Sequence, residues 1–345
     1  MHRFWLISLL LLTCGQAVGA DSRPKNLGAD GKWLCQYCDL RYEDFSTRDL
    51  TGANFTGAYL HGVNFSWSVV KNSHFSSANL GFSRMEWADF DNGDFSKAFL
   101  QDAAMFRSTF RNANLRMANL SRSNLSRSEF SKANLLTAVM RGADLTDARM
   151  NGAILRQADL SDTTMQGARL RDADLQGATL DRAIMDGCDV ASANFSGASL
   201  RAVSFKSTYI NLANFRKANL ARADFSRAVI EATNFHGANL SEADFTGAEL
   251  HDVILTGANL CRAKLVDGSV GYCSPEALAE LLAAEEEQKR LEAAQNKPLP
   301  PAEAVAPTEE TPAEPPVAAP RPMSGKAPAD ATGQPRAASA KGAAI

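Results

Sequence analysis

Six cysteines carry the most chemistry available to this chain: Cys14, Cys35, Cys38, Cys188, Cys261 and Cys273. Two of them form a Cys-x-x-Cys, which serves as a dithiol redox centre, as half of a four-cysteine metal site, or as a local disulfide. The five histidines (His2, His61, His74, His236 and His251) are scattered, with no ligand-spaced cluster and no glycine-rich phosphate loop. No cofactor and no metal are predicted. Serines and aspartates are spread so evenly that a hydrolase triad could be drawn from them only by chance, so no catalytic residues are assigned and no enzyme is predicted. What remains is recognition. Trp67, Trp87, Arg107 and Arg127 recur at twenty-residue intervals, with Phe82, Phe99 and Phe106 nearby and Arg111, Arg116 and Arg122 extending the basic part. Tryptophan and arginine dominate protein-binding patches. The bland alternative is a few outward aromatics tolerated singly or shielding an end. The choice depends on what lines these residues up.

The element that does so is a five-residue repeat. From Leu40 to Leu265, every fifth residue, 46 in all, is Leu, Phe, Met, Val or Ile, with no insertion or deletion. Two residues before the large one, from Ala53 to Ala263, all 43 positions are Ala, Ser, Gly, Thr, Val or Cys, and 29 are Ala. The residue just before the large one is often Asp or Asn, as in Ala53-Asn54-Phe55, Ala143-Asp144-Leu145 and Ala258-Asn259-Leu260. A period of five fits neither a helix nor a strand. It fits a chain that turns a corner each time and points one small and one large residue inward per side, as a solenoid does. Sorting by twenties gives a second order. The column Leu40, Leu60, Leu80 and on to Leu260 is Leu in eleven of twelve cases, and another runs Phe55, Phe75, Phe95, Leu115 through Phe195, Phe215, Phe235, Leu255. Residues stacked in consecutive coils share one packing problem, so type persists along a column and four sides per coil are predicted.

The A(D/N)LXX pattern resembles the pentapeptide-repeat family over roughly two thirds of the chain. The resemblance implies an all-β fold, a right-handed quadrilateral parallel β-helix of about eleven coils. The expected organisation is a signal peptide over 1–20, an N-terminal cap over 21–39, the β-helix over 40–270, a capping α-helix over 274–296 and a disordered Pro/Ala-rich tail over 297–345. Trp33, Leu34 and Tyr37 are expected to cover the first coil, where Glu43 and Arg48 stand in small-residue slots. Ser274-Pro275-Glu276 is a helix start, with Leu278, Leu281 and Leu282 as its apolar stripe. Of 13 prolines, none lies between Lys25 and Ser274, because coils that donate N–H groups to one another exclude proline.

A rod also sorts the cysteines. Cys35/Cys38 and Cys261/Cys273 lie at opposite ends, too far apart for one metal site. With no βαβ setting for a redox dithiol, two local disulfides pinning the ends are expected. Cys188 falls in an inward small slot as a buried thiol. His2 and Arg3, the apolar run Phe4–Leu12 and the small residues Ala17–Ala20 read as an export signal cleaved after Ala20. The alternative, lipidation at Cys14, meets Leu12 and Thr13 where a lipobox carries small residues. The chain is therefore expected to be periplasmic or secreted, without a transmembrane span.

Charge separates the functions left. The best-known activity in the family is inhibition of DNA gyrase by rods whose acidic surface imitates DNA. Here residues 41–265 carry 25 basic against 24 acidic residues, and 101–135 carry 6 against 2. A dense negative face is missing, and a basic stretch this short in a neutral field does not predict nucleic-acid binding. The sequence thus points to a non-catalytic extracytoplasmic scaffold whose Trp67/Trp87/Arg107/Arg127 strip binds a protein of the cell envelope. The alternatives are a purely structural envelope component without a ligand and, last, a DNA-mimic topoisomerase inhibitor.

Overall fold

The computed structural model describes residues 33–273 and Arg290. Parallel backbone bridges join residue i to residue i+20, from Leu34↔Asn54 to Asp244↔Lys264, at four positions in every twenty residues. On one side, consecutive coils widen these bridges into strands β1 (Tyr209–Asn211), β2 (Val229–Glu231) and β3 (Glu249–His251). They form a parallel sheet in that order, with Ile210 opposite Ile230 and Ile230 opposite Leu250. Elsewhere a side is one bridge long, because the chain turns before a second can form.

The turn explains the repeat's alphabet. The segment Thr51–Phe55 uses every N–H it has. Thr51 donates to Asp49 Oδ1 (3.0 Å), Gly52 to the Lys71 carbonyl (2.8 Å) and Ala53 to the Leu50 carbonyl (3.0 Å). Asn54 donates to Trp33 O and Phe55 to His74 O, both at 2.7 Å. One N–H per unit therefore needs a side-chain acceptor, and Asp or Asn just before the large residue supplies it, as Asn54 does for Thr56 and Asp144 for Thr146 (3.0 Å each). Proline would forfeit a backbone-to-backbone bond at four of the five positions, one more than inter-coil donation alone accounts for.

The bond from Ala53 to the Leu50 carbonyl closes a turn with a residue of positive φ, Gly52, inside it, the type II pattern. Every fifth residue from Tyr37 to Arg262 is in this left-handed region, and thirty-four of these are not glycine. Such a conformation costs a residue with a Cβ about 1–2 kcal/mol. Bonds to the next coil hold it, as when Trp87 N–H donates to the Phe106 carbonyl at 3.0 Å. Glycine at Gly62 has a further reason: a Cβ there would stand 2.6 Å from Tyr42 Cδ1.

Inside, small and large residues alternate as expected, and Ala53 and Phe55 are both fully buried. Like side chains stack along the rod. Phe215 lies between Phe195 (4.7 Å, 5°) and Phe235 (5.1 Å, 5°), and Phe75 stacks on Phe95 at 4.7 Å. Each buried phenylalanine contributes about 1.5–3 kcal/mol by burial, and each ring pair about 0.5–1.5 more.

The ends differ from expectation. Leu34 and Asp39 already pair with Asn54 and Tyr59, so the ladder begins inside the segment expected to be a cap. Of the three residues expected to cover the first coil, only Trp33 does, edge-on to Phe45 at 5.4 Å. Leu34 and Tyr37 are exposed, because they share the five-residue phase of the outward positions. Arg48 lies 5.6 Å over the Phe45 ring. At the other end the chain reverses at Gly268 (φ 82) and pairs antiparallel, Lys264↔Val270. Gly271 donates to the Ala263 carbonyl at 2.7 Å, so the last edge is partly closed by its own continuation. The expected signal peptide, the C-terminal helix apart from helical Arg290, and the tail lie outside the described residues, as does the second of the chain's two units, Ala293–Ile345.

Candidate partner-binding site

The left-handed corner residue points its side chain outward, and one corner carries Trp67, Trp87, Arg107 and Arg127 in four consecutive coils, with φ of 63, 59, 57 and 58°. A corner of this kind accepts glycine at least cost. These four share that conformation with the other non-glycine corners, so it fixes their register from coil to coil. The indoles of Trp67 and Trp87 are 4.8 Å apart and within 6° of parallel. Arg107 continues the column, its Cζ 4.5 Å from the Trp87 ring. Phe106 buttresses it, edge-on to Trp87 at 6.0 Å and 5.4 Å from the Arg107 guanidinium.

The structure thus brings together Trp67, Trp87, Arg107 and Phe106. Arg127 shares the corner but turns to Asp147, Nε to Oδ2 at 3.2 Å. Phe82 belongs to another column, 5.2 Å from His61, and Phe99 to a third, between Asn79 and Asn119. On one flank of the stack a recess of about 470 Å³ is lined by Asn64, Ser66, Arg84 and Glu86 with the indole edges. On the other, a groove of about 570 Å³ runs from Trp87 past Thr109 to Gly167, with Arg149 and Arg169 on its walls. Sequence reading missed Asn64, Arg84 and Glu86, which belong to the side of each coil that leads into this corner. Their signal is nearness: each stands one to three residues before a tryptophan.

Half of the six cations over 101–135 are neutralised from neighbouring coils. Arg111 pairs with Asp91 (2.7 Å), Arg122 with Asp102 (2.7 Å) and Arg127 with Asp147. Arg107, Arg116 and Lys132 meet no carboxylate within 4.0 Å among the described residues. The same 18-to-21 spacing governs Lys71–Asp89, Arg141–Asp162, Arg182–Asp162, Lys206–Asp224 and Lys264–Asp244. The Arg122 hydrogen bond lowers the Asp102 pKa. For Asp244, burial opposes ionisation, but bonds from Lys264 and Thr246 outweigh it and hold the pKa at about 2.

Cys35–Cys38 and Cys261–Cys273 are disulfides, as expected, and Cys188 is a buried free thiol. Its Sγ donates to the Met165 carbonyl at 2.8 Å, and burial pushes its pKa up to about 12. No group of three potential metal ligands occurs among the described residues, and no helix among them is long and apolar enough to cross a membrane.

Two family descriptions match this coil: "Pentapeptide repeat region" over 178–255, and "Pentapeptide repeats (8 copies)" over 35–67, 103–142 and 138–177. Together they span more than half of the sequence, and the chain belongs to the pentapeptide-repeat family, whose fold is the right-handed β-helix and which indicates no catalytic activity. Among solved structures, HetL of the cyanobacterium Nostoc sp. strain PCC 7120, involved in heterocyst differentiation regulation, is 26% identical over 70% of this chain and 95% of its own, with a TM-score of 0.35. Full-length QnrB1, a plasmid-mediated fluoroquinolone resistance protein, is 16% identical over 65% and 92%, with a TM-score of 0.21. A thylakoid-lumen protein of Arabidopsis thaliana, AT2G44920, is 33% identical over 32% and 71%, with a TM-score of 0.14. No curated protein matches the sequence.

Proposed function

We propose that this protein is a non-catalytic extracytoplasmic scaffold that binds a protein partner of the cell envelope through the Trp67/Trp87/Arg107/Arg127 corner. The observation that carries the reading is the stack itself. Two indoles and a guanidinium in register, on corners where glycine costs least, form a preorganised surface of the residue types that dominate binding. The export half is supported by the signal-like residues 1–20 and by the two disulfides, which persist in oxidising compartments. Carboxylates that alternate with cations from coil to coil argue against a DNA mimic. The test compares wild type with a Trp67→Ala/Trp87→Ala variant in affinity capture from envelope extract. An enriched protein lost in the variant supports the reading, and an unchanged capture profile refutes it. Mass spectrometry of the mature N-terminus checks export: Asp21 as the first residue is expected, and a lipidated Cys14 would replace the cleavage site proposed here.

A further inference from the structure

We infer that the uncovered face of Trp67 is a seat for an arginine side chain on the partner protein, an inference that rests on the partner-binding role just proposed. The column is closed at one end and open at the other. Trp87 has Trp67 on one face and Arg107 on the other, and is 39% exposed. Trp67 has only Trp87, and is 59% exposed. The residue one coil earlier on the same corner is Thr47, held in register by its N–H donation to the Ser66 carbonyl at 3.0 Å. A threonine is too short to cover an indole. Among the described residues no ring or cation stacks on that face.

The chain itself shows what such a face takes. Arg107 covers the outer face of Trp87, at the other end of the two-indole stack, at 4.5 Å. A guanidinium is planar and weakly hydrated, so it stacks flat on an aromatic ring where an ammonium keeps its water.

Charge around the open end completes the seat. Asp44 and Asp49 flank Thr47 in its own coil, both exposed, and their Oδ1 atoms accept the N–H groups of Ser46 (2.9 Å) and Thr51 (3.0 Å). Those bonds anchor the two carboxylates on the surface, and neither has an ion-pair partner within 4.0 Å among the described residues. Arg48, next to Thr47, is exposed and lies over the Phe45 ring at 5.6 Å; it makes no ion pair with either carboxylate, so the segment Glu43–Asp49 stays net acidic. A guanidinium on Trp67 would thus have an aromatic face against its plane and a carboxylate to either side. At the closed end Arg107 repels the same group. The strip is therefore polar along its length, acidic where it is open and basic where it is closed, which gives a partner one orientation.

The experiment uses the full-length protein and three acetylated, amidated peptides, Gly-Arg-Gly-Arg-Gly and its Lys and Glu counterparts, followed by the indole N–H resonance of Trp67. The Arg peptide is expected to move that resonance and to bind at least about fivefold more tightly than the Lys peptide. Thr47→Arg places the chain's own guanidinium on the seat, on a corner that already accepts arginine at Arg107 and Arg127. It should abolish the Arg-peptide response with the fold intact. Asp44→Asn with Asp49→Asn keeps the Oδ1 acceptors the corners need but removes the charge, and should weaken binding about threefold or more. Equal binding of Lys or Glu peptides, or undiminished Arg-peptide binding in both variants, overturns the arginine seat. Capture of the envelope partner that survives Thr47→Arg but is lost in Trp67→Ala/Trp87→Ala would overturn the seat while leaving the partner-binding role standing.

Discussion

Ala232 and Ala238 are six residues apart, and replacing each with glycine should move stability in opposite directions. Ala232 occupies the left-handed corner, with φ of 47°, and its methyl is exposed. Removing the Cβ relieves about 1–2 kcal/mol of conformational strain. The unfolded chain gains freedom that returns about 0.4–1 kcal/mol of this, leaving a net stabilisation of roughly 0.5–1 kcal/mol. Ala238 occupies the inward small slot, is 1% exposed, and donates to the Phe235 carbonyl at 2.9 Å. Its methyl is worth about 0.8 kcal/mol of burial, and glycine adds about 0.5–1 kcal/mol of lost backbone freedom. Ala238→Gly should therefore destabilise by roughly 1.3–1.8 kcal/mol. For a folded unit of this size about 1 kcal/mol corresponds to a 2–4 °C change in Tm. Ala232→Gly should melt about 1–4 °C above wild type, and Ala238→Gly about 3–7 °C below it, by calorimetry or circular dichroism. Shifts of the same sign would refute the claim that the corner conformation stores strain.

Phe215→Ala removes the middle ring of a three-ring stack and should cost about 3–5 kcal/mol in denaturant unfolding, while Phe215→Leu, the type found lower in the same column, should cost far less. Reduction of Cys261–Cys273, which closes a separation of 12 residues, should lower stability by about 3 kcal/mol, and reduction of Cys35–Cys38, with a separation of 3, by less. Cys188 should resist thiol reagents at pH 8 until the coil unfolds, in keeping with a pKa near 12. The Asp244 carboxyl, held at about 2, lies below its unfolded value, so its contribution is complete above about pH 4 and disappears as pH falls toward 2. Comparing Asp244→Asn with wild type across that range should show a difference of about 1 kcal/mol that vanishes in acid.

The interior was legible in the sequence because packing acts along the chain at fixed intervals. Leu60 and Leu80 repeat because each sits on the other's kind, and Phe55, Phe75 and Phe95 persist for the same reason. The candidate stack was legible too, since Trp67, Trp87 and Arg107 lie on one twenty-residue column. What escaped was chemistry between columns. Arg111 and Arg122 look like a free basic stretch when counted in order, yet Asp91 and Asp102 neutralise them from the coil before. The corner's positive φ escaped as well, although glycines at 52, 57, 62, 142 and 152 mark its phase. The side chains at Trp87 and Met117 hid a rule that only the backbone states. The antiparallel return at Gly268 carries no repeat at all, so periodicity had nothing to say about it.

The i-to-i+20 register has a consequence for how such a chain can change length. Removing twenty residues takes out one complete circuit, shortens the coil by about one strand spacing of 4.8 Å, and leaves every column above and below in line. Removing five keeps the inward pattern of small and large residues but shifts everything downstream by a quarter of the circuit. Leu100 would then continue the phenylalanine column, and Arg107 would leave the tryptophans it covers. Two clocks therefore run in this sequence: the fast one decides whether the chain folds, and the slow one decides which outward side chains line up along one side of the coil.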